Sequence, residues 1–124
     1  MTKITNNLSR AEVTCRCGCG LCNLNHYLAE IFQQCRSFFG EPIIVTSGCR
    51  CPKHNQKIGG SPTSSHLKGQ ALDITCQNPT WKRMLKLAYC TGRSGIMRLG
   101  IHSKHKFLHI AFDPDKPQEV FFED

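Results

Sequence analysis

Three side chains with ligand chemistry stand out. His66 and Asp73 lie seven positions apart in Ser64-Ser-His-Leu-Lys-Gly-Gln-Ala-Leu-Asp73. His109 sits downstream in the apolar run Phe107-Leu-His-Ile-Ala-Phe112. A mononuclear catalytic zinc site draws about three ligands from imidazole and carboxylate groups and leaves one position open. These three residues make such a set. The gap between His66 and Asp73 exceeds the one-turn spacing of helical ligand pairs, Gly69 marks a turn, and small Ala71 lets backbone pass close to a site. Each residue also has a plainer reading. Asp73 alone can pair with a Lys or Arg, or face solvent on an edge strand; His109 alone can be a hydrogen-bonded core or surface histidine. A carboxylate between Leu72 and Ile74 is costly if buried without a partner, and an ion removes that cost.

With its flanks, the pattern Ser-x-His-x-x-Gly-x-Ala-x-Asp over 64–73, followed by a strand-borne His109, resembles the M15 family of zinc peptidases. These are the D-Ala-D-Ala carboxypeptidases and phage L-alanyl-D-glutamate endopeptidases that cut peptidoglycan stem peptides. The resemblance runs from about residue 12 to 113. It implies a hedgehog/DD-peptidase fold, zinc on His66, Asp73 and His109, and a peptidoglycan stem peptide as substrate. A related signalling domain uses that fold for binding, so a zinc-binding wall-recognition module with little turnover is the alternative. Upstream, Thr46-Ser-Gly-Cys-Arg-Cys-Pro52 with His54-Asn55 and Gly59-Gly60 resembles the family segment whose Arg binds the substrate carboxylate or steadies the oxyanion. Its match is Arg50. A guanidinium fork suits a carboxylate, and a cation beside a scissile carbonyl stabilises developing negative charge. Ser64 is the matching serine, expected to orient substrate or a ligand.

The resemblance fails at the general base. Family members carry an acid or imidazole three before, two before or two after the last ligand; here those positions hold Lys106, Phe107 and Ala111. The nearest replacements are His105 and Asp113, each four residues from His109, or about 13 Å along a regular strand. His54, His102, Glu119 and Glu123 are the reserves.

Nine cysteines form the second unusual feature. Cys15, Cys17, Cys19 and Cys22 crowd into eight residues, and Cys49 and Cys51 flank Arg50. Alternating C-x-C spacing throws neighbouring thiols to opposite sides, so one ion on all four N-terminal thiols is awkward. A structural metal shared with Cys49/Cys51 and one or two disulfides are equally reasonable. Either would staple this segment beside the Arg50 loop. Cys35 and Cys90 read as core residues. A Cys–His peptidase finds no nucleophile context.

The elements that must position these groups follow from periodicity. The chain of 124 residues, 40% hydrophobic and 20% charged, suits one domain, 1–124, with residues 1–22 as a Cys-rich lead-in anchored by Leu8, Ala11 and Val13. Leu24, Leu28, Ile31, Phe32, Cys35 and Phe38 predict an amphipathic helix over 25–39, stopped by Gly40. Ile43–Thr46 reads as a buried strand, 47–65 as a long loop, and Ala71–Ile74 as a second strand. A second helix starts near Asn78-Pro-Thr80, with Trp81, Leu85, Ala88 and Tyr89 expected to face inward. Strands over 96–101, 107–112 and 120–122 complete an α+β architecture of two main helices on a mostly antiparallel sheet.

The net charge of +7 suits a polyanion, whether nucleic acid, an anionic membrane face or an anionic cell wall. Scattered Lys and Arg argue against a dedicated nucleic-acid arm, and no nucleic-acid partner is expected. No apolar run approaches a membrane span of roughly 20 residues. The polar start is unlike a signal peptide. The expectation is a monomer made in the cytoplasm that reaches the wall by phage-mediated release.

Overall fold

The computed structural model describes residues 2–123. A short hairpin, β1 (Lys3–Thr5) and β2 (Leu8–Ser9), leads into a single helical turn, α1 (Arg10–Val13). Ser9 and Glu12 close a reciprocal capping box on it. Leu8 and Val13 are buried as anchors, whereas Ala11 is exposed, a correction to its expected role. Residues 14–25 then run without regular structure, as two glycines and four thiols in eight positions require.

Helix α2 (His26–Phe39) begins on an Asn25 side chain that accepts the N–H groups of Tyr27 and Leu28. It ends on Gly40, whose φ of 74° is left-handed. Leu28, Phe32, Cys35 and Phe39 form its buried stripe. Phe38, expected inside, is exposed under the Arg93 guanidinium, 4.2 Å from its ring centre. Helix α4 (Trp81–Arg93) follows a six-residue α3 (Pro52–Lys57) and packs against α2. Its inward face is Met84, Leu87, Ala88 and Thr91. Trp81, Leu85 and Tyr89 are exposed, so the expected phase is wrong except at Ala88. Two apolar stripes compete on this helix, and the one matching the sheet wins.

The sheet is β3 (Ile43–Ser47), β4 (Ala71–Cys76), β6 (Phe107–Ala111), β5 (Arg98–His102) and β7 (Val120–Glu123), in that spatial order. All neighbours are antiparallel except β5 and β7. Side chains alternate across a strand. Leu72 and Ile74 of β4, with Leu108 and Ile110 of β6, enter the core with the helix stripes. Asp73 and His109 therefore stand on the opposite face. The α+β class and the two main helices match the expectation; α3, inside the expected loop, does not. Its signal is Cys51 as N-cap with Pro52 in the first turn. No helix among the described residues is long and apolar enough to cross a membrane.

Candidate metal centre and cleft

Register brings the ligands together. Asp73 lies directly opposite His109 across the β4–β6 ladder. His66 enters from a 3-10 turn, Ser65–Lys68, capped by Ser64, whose Oγ accepts the His66 N–H at 3.2 Å. The turn closes on Gly69 at φ 67°, and a Cβ there would lie 1.9 Å from the Asn23 carbonyl oxygen, so only glycine fits. His66 Nε2 is 3.1 Å and His109 Nδ1 2.9 Å from the same Asp73 Oδ1. His66 and Asp73 are buried, and His109 is half-buried at the edge of the site.

The chemistry of this donor set fits a divalent ion. His66 Nδ1 donates to the Gly48 carbonyl at 2.7 Å. A neutral His66 therefore turns the lone pair of Nε2 toward a carboxylate oxygen. Two acceptors at that distance require positive charge between them, as a proton or a metal. Tetrahedral bonds of about 2.0–2.1 Å set ligand atoms about 3.3 Å apart, close to the observed spacings. All three ligand atoms lie within 4.8 Å of one another. Burial alone would raise the Asp73 carboxyl, but hydrogen bonds and charge from His109 and His66 hold it well below the usual carboxylate range.

The set forms the floor of a cleft of about 380 Å³, walled by Arg50, Arg98, Lys116 and Phe122, with Gly60, Ser61 and Ser64 at its rim. Arg50 is held by Ser47 Oγ at 3.2 Å and Asn55 Oδ1 at 3.3 Å, and its Nη2 stands 3.6 Å from Asp73 Oδ2. Asn55 is buried and also donates to the Ser61 carbonyl at 2.9 Å. A Cβ on Gly60 would lie 2.1 Å from Asn55 Oδ1 and 3.2 Å from Arg50 Nη1. Gly60→Ala should therefore displace Arg50 and, in any peptidase assay in which Arg50 meets substrate, lower kcat/KM about 10- to 100-fold, mainly through KM, with the content of any bound metal unchanged. Steady-state kinetics beside metal analysis checks this; an unchanged KM would mean Arg50 does not contact substrate.

The expected bases lie elsewhere. His105 sits exposed in the turn between β5 and β6, its ring stacked on His102 with centres 4.9 Å apart, and does not line the cleft. Asp113, buried beyond the end of β6, accepts from Ser65 Oγ and from Lys68 Nζ at 2.9 Å. It clamps the His66 turn to the strand bearing His109 and does not line the cleft. His54, His102, Glu119 and Glu123 do not line the cleft either. Among the described residues, the cleft has no carboxylate or imidazole beyond the three ligands. Arg98, Lys116 and Phe122 were not legible as cleft residues, because only the order β6-β5-β7 and the segment before β7 bring them there.

Burial would raise the Asp113 carboxyl too, but Ser65 and Lys68 outweigh it and hold it low. The native fold then favours ionised Asp113. Its stabilisation is complete above the unfolded carboxylate range, near pH 4, and is lost as pH falls through the lowered native value. Asp113→Asn should cost about 1–3 kcal/mol at neutral pH and shrink as a deficit in acid. Urea melts of both chains at several pH values test it; a deficit that grows in acid would contradict this role.

The Peptidase M15 family model matches residues 6–111, most of the chain. The chain belongs to the M15 peptidase family. A search of curated protein sequences finds no match. Among solved structures, the chain is similar to the L-Ala D-Glu endopeptidase ChiX of Serratia marcescens, with a TM-score of 0.56 and 19% identity. That match covers 73% of this chain and 81% of ChiX. At this identity the likeness speaks for the fold.

Proposed function

We propose that this chain is a zinc-dependent endopeptidase of peptidoglycan stem peptides, with the ion on His66, Asp73 and His109 in a hedgehog/DD-peptidase type of fold. The observation that carries this reading is a His/Asp/His donor set on the floor of a cleft whose other charges are all positive: Arg50, Arg98 and Lys116. Stem peptides carry carboxylates on more than one residue, and three cations along one cleft suit them. By analogy with ChiX, named as an L-Ala D-Glu endopeptidase, the L-Ala–D-Glu bond is our assigned target. We also assign a phage-type lytic role, for which the +7 charge supplies attraction to anionic wall polymers.

Zinc in such a set acidifies water and polarises a carbonyl. The protein does the rest. Gly48 holds the His66 ring so that Nε2 faces the site. Arg50, braced by Ser47 and Asn55, presents N–H groups to a substrate carboxylate or to the oxygen that gains charge. Phe122, whose ring lies over Gly100 and 6.3 Å from the His109 ring centre, closes one wall with an apolar surface. With no further base lining the cleft among the described residues, the attacking water loses its proton to solvent or buffer, so turnover is slow and buffer-dependent.

The test is digestion of purified peptidoglycan by the zinc-loaded chain, with fragment masses and a His66→Ala control. Fragments ending at L-Ala support the assignment, and released D-Ala would move it to a carboxypeptidase. Zinc and wall binding without cleavage would favour the binding module, the second reading, which the empty base positions support.

A further inference from the structure

A second group of ligating side chains lies outside the cleft. Cys15, Cys17, Cys19 and Cys51 place all four Sγ atoms within 4.8 Å of one another. Cys15 and Cys17 are 3.4 Å apart, and Cys17 and Cys51 are 3.6 Å apart. A tetrahedral zinc with bonds of about 2.3 Å sets its sulfurs about 3.8 Å apart. We propose that these four thiolates bind a structural zinc ion that ties the irregular N-terminal segment to the loop carrying Arg50.

Three observations favour an ion over disulfides. First, four thiols converge on one point. Disulfides join sulfurs in pairs at about 2.05 Å and give two pairs no reason to share a centre. Second, backbone N–H groups already point at the sulfurs. Cys51 N–H donates to Cys15 at 3.4 Å, His54 N–H to Cys51 at 3.3 Å, and Leu21 N–H to Cys19 at 3.5 Å. Such donors stabilise thiolate charge. Third, Lys53 and Lys57 border the same hollow beside Cys17, Cys19 and Cys51, where their charges offset the double negative charge of a four-thiolate zinc.

The alternation that makes four consecutive N-terminal ligands awkward is resolved by omission. Cys22 stays out and Cys51 takes the fourth place. Cys49 is also outside the set, buried against Cys22 and the Asn23 backbone, where burial raises its thiol.

The test separates this ion from the one in the cleft. A His66→Ala/His109→Ala chain, purified under reducing conditions with zinc, is expected to keep one zinc per molecule. Adding exposed Cys19→Ser to that chain should remove it. Cobalt exchanged into the wild-type chain should give an intense thiolate-to-cobalt band, which a His/Asp site cannot produce; this readout survives even if the histidine variant fails to fold. Four thiols should resist alkylation until a chelator is added. A wild-type chain without the cobalt band, with all thiols alkylated equally before and after chelation or with Cys15, Cys17, Cys19 or Cys51 found in disulfides, would overturn the proposal.

Discussion

Asp73→Asn is expected to lower peptide hydrolysis by about a thousandfold, near 4 kcal/mol of barrier, while the fold survives. Asp73 is the point where both imidazoles meet, and Arg50 stands beside its second oxygen. The amide keeps the shape but loses the negative charge that an ion between two histidines needs. Zinc affinity should fall with the activity. The apo chain should lose little stability, because the change also removes the cost of a buried carboxylate. Metal analysis, hydrolysis of a stem peptide and a thermal melt on the same sample test this. Full activity with zinc retained would remove Asp73 from the ligand set.

The second large effect is a gain. Ala111 lies two residues after His109, and strand alternation puts both on the cleft side of β6. It pairs with Ala71 on one side and Arg98 on the other. Some members of the resembled family carry an acid at this position. Ala111→Asp should therefore supply the missing proton acceptor. General bases contribute roughly 10²–10⁴ in rate, and we expect kcat to rise at least about tenfold. Arg98, whose Nε lacks a hydrogen-bond partner, would keep the new carboxylate ionised. The variant should also lose the buffer dependence of the parent and acquire an acidic limb, its rate falling as pH drops through the carboxylate value. Ala111→Asn is the control for size. Equal rates for the Asp and Asn variants would mean proton removal does not limit turnover.

How much of this was legible in the sequence differs by element. The meeting of His66, Asp73 and His109 was, because two short motifs hold them: His66 and Asp73 share one turn-and-strand segment, and alternation around His109 sets its face. The buried phase of α4 was not. Its sequence offers both a Trp81-Leu85-Tyr89 stripe and a Met84-Leu87-Thr91 stripe, and only the sheet beneath chooses. The same holds for Asp113, whose charge suggested chemistry until the Lys68 and Ser65 partners, some 45 residues away, were seen to claim it. Arg98 and Lys116 carry no motif at all. The thiol cluster was half legible: proximity of six cysteines pointed to a staple, but only the loop geometry selects Cys51 over Cys49.

The register of β4 against β6 does two things at once. Because side chains alternate with a period of two, a slip of one strand by a single residue would turn that strand over, driving Asp73 of β4 or His109 of β6 into the core and expelling Leu72 and Ile74, or Leu108 and Ile110, to water. No mis-paired sheet can therefore bring Asp73 and His109 to one point. If the cleft binds zinc as proposed, its uptake there, once any thiolate-bound ion is counted separately, amounts to a head count of correctly folded molecules. Errors in strand pairing would show as missing active sites, never as enzyme of altered specificity.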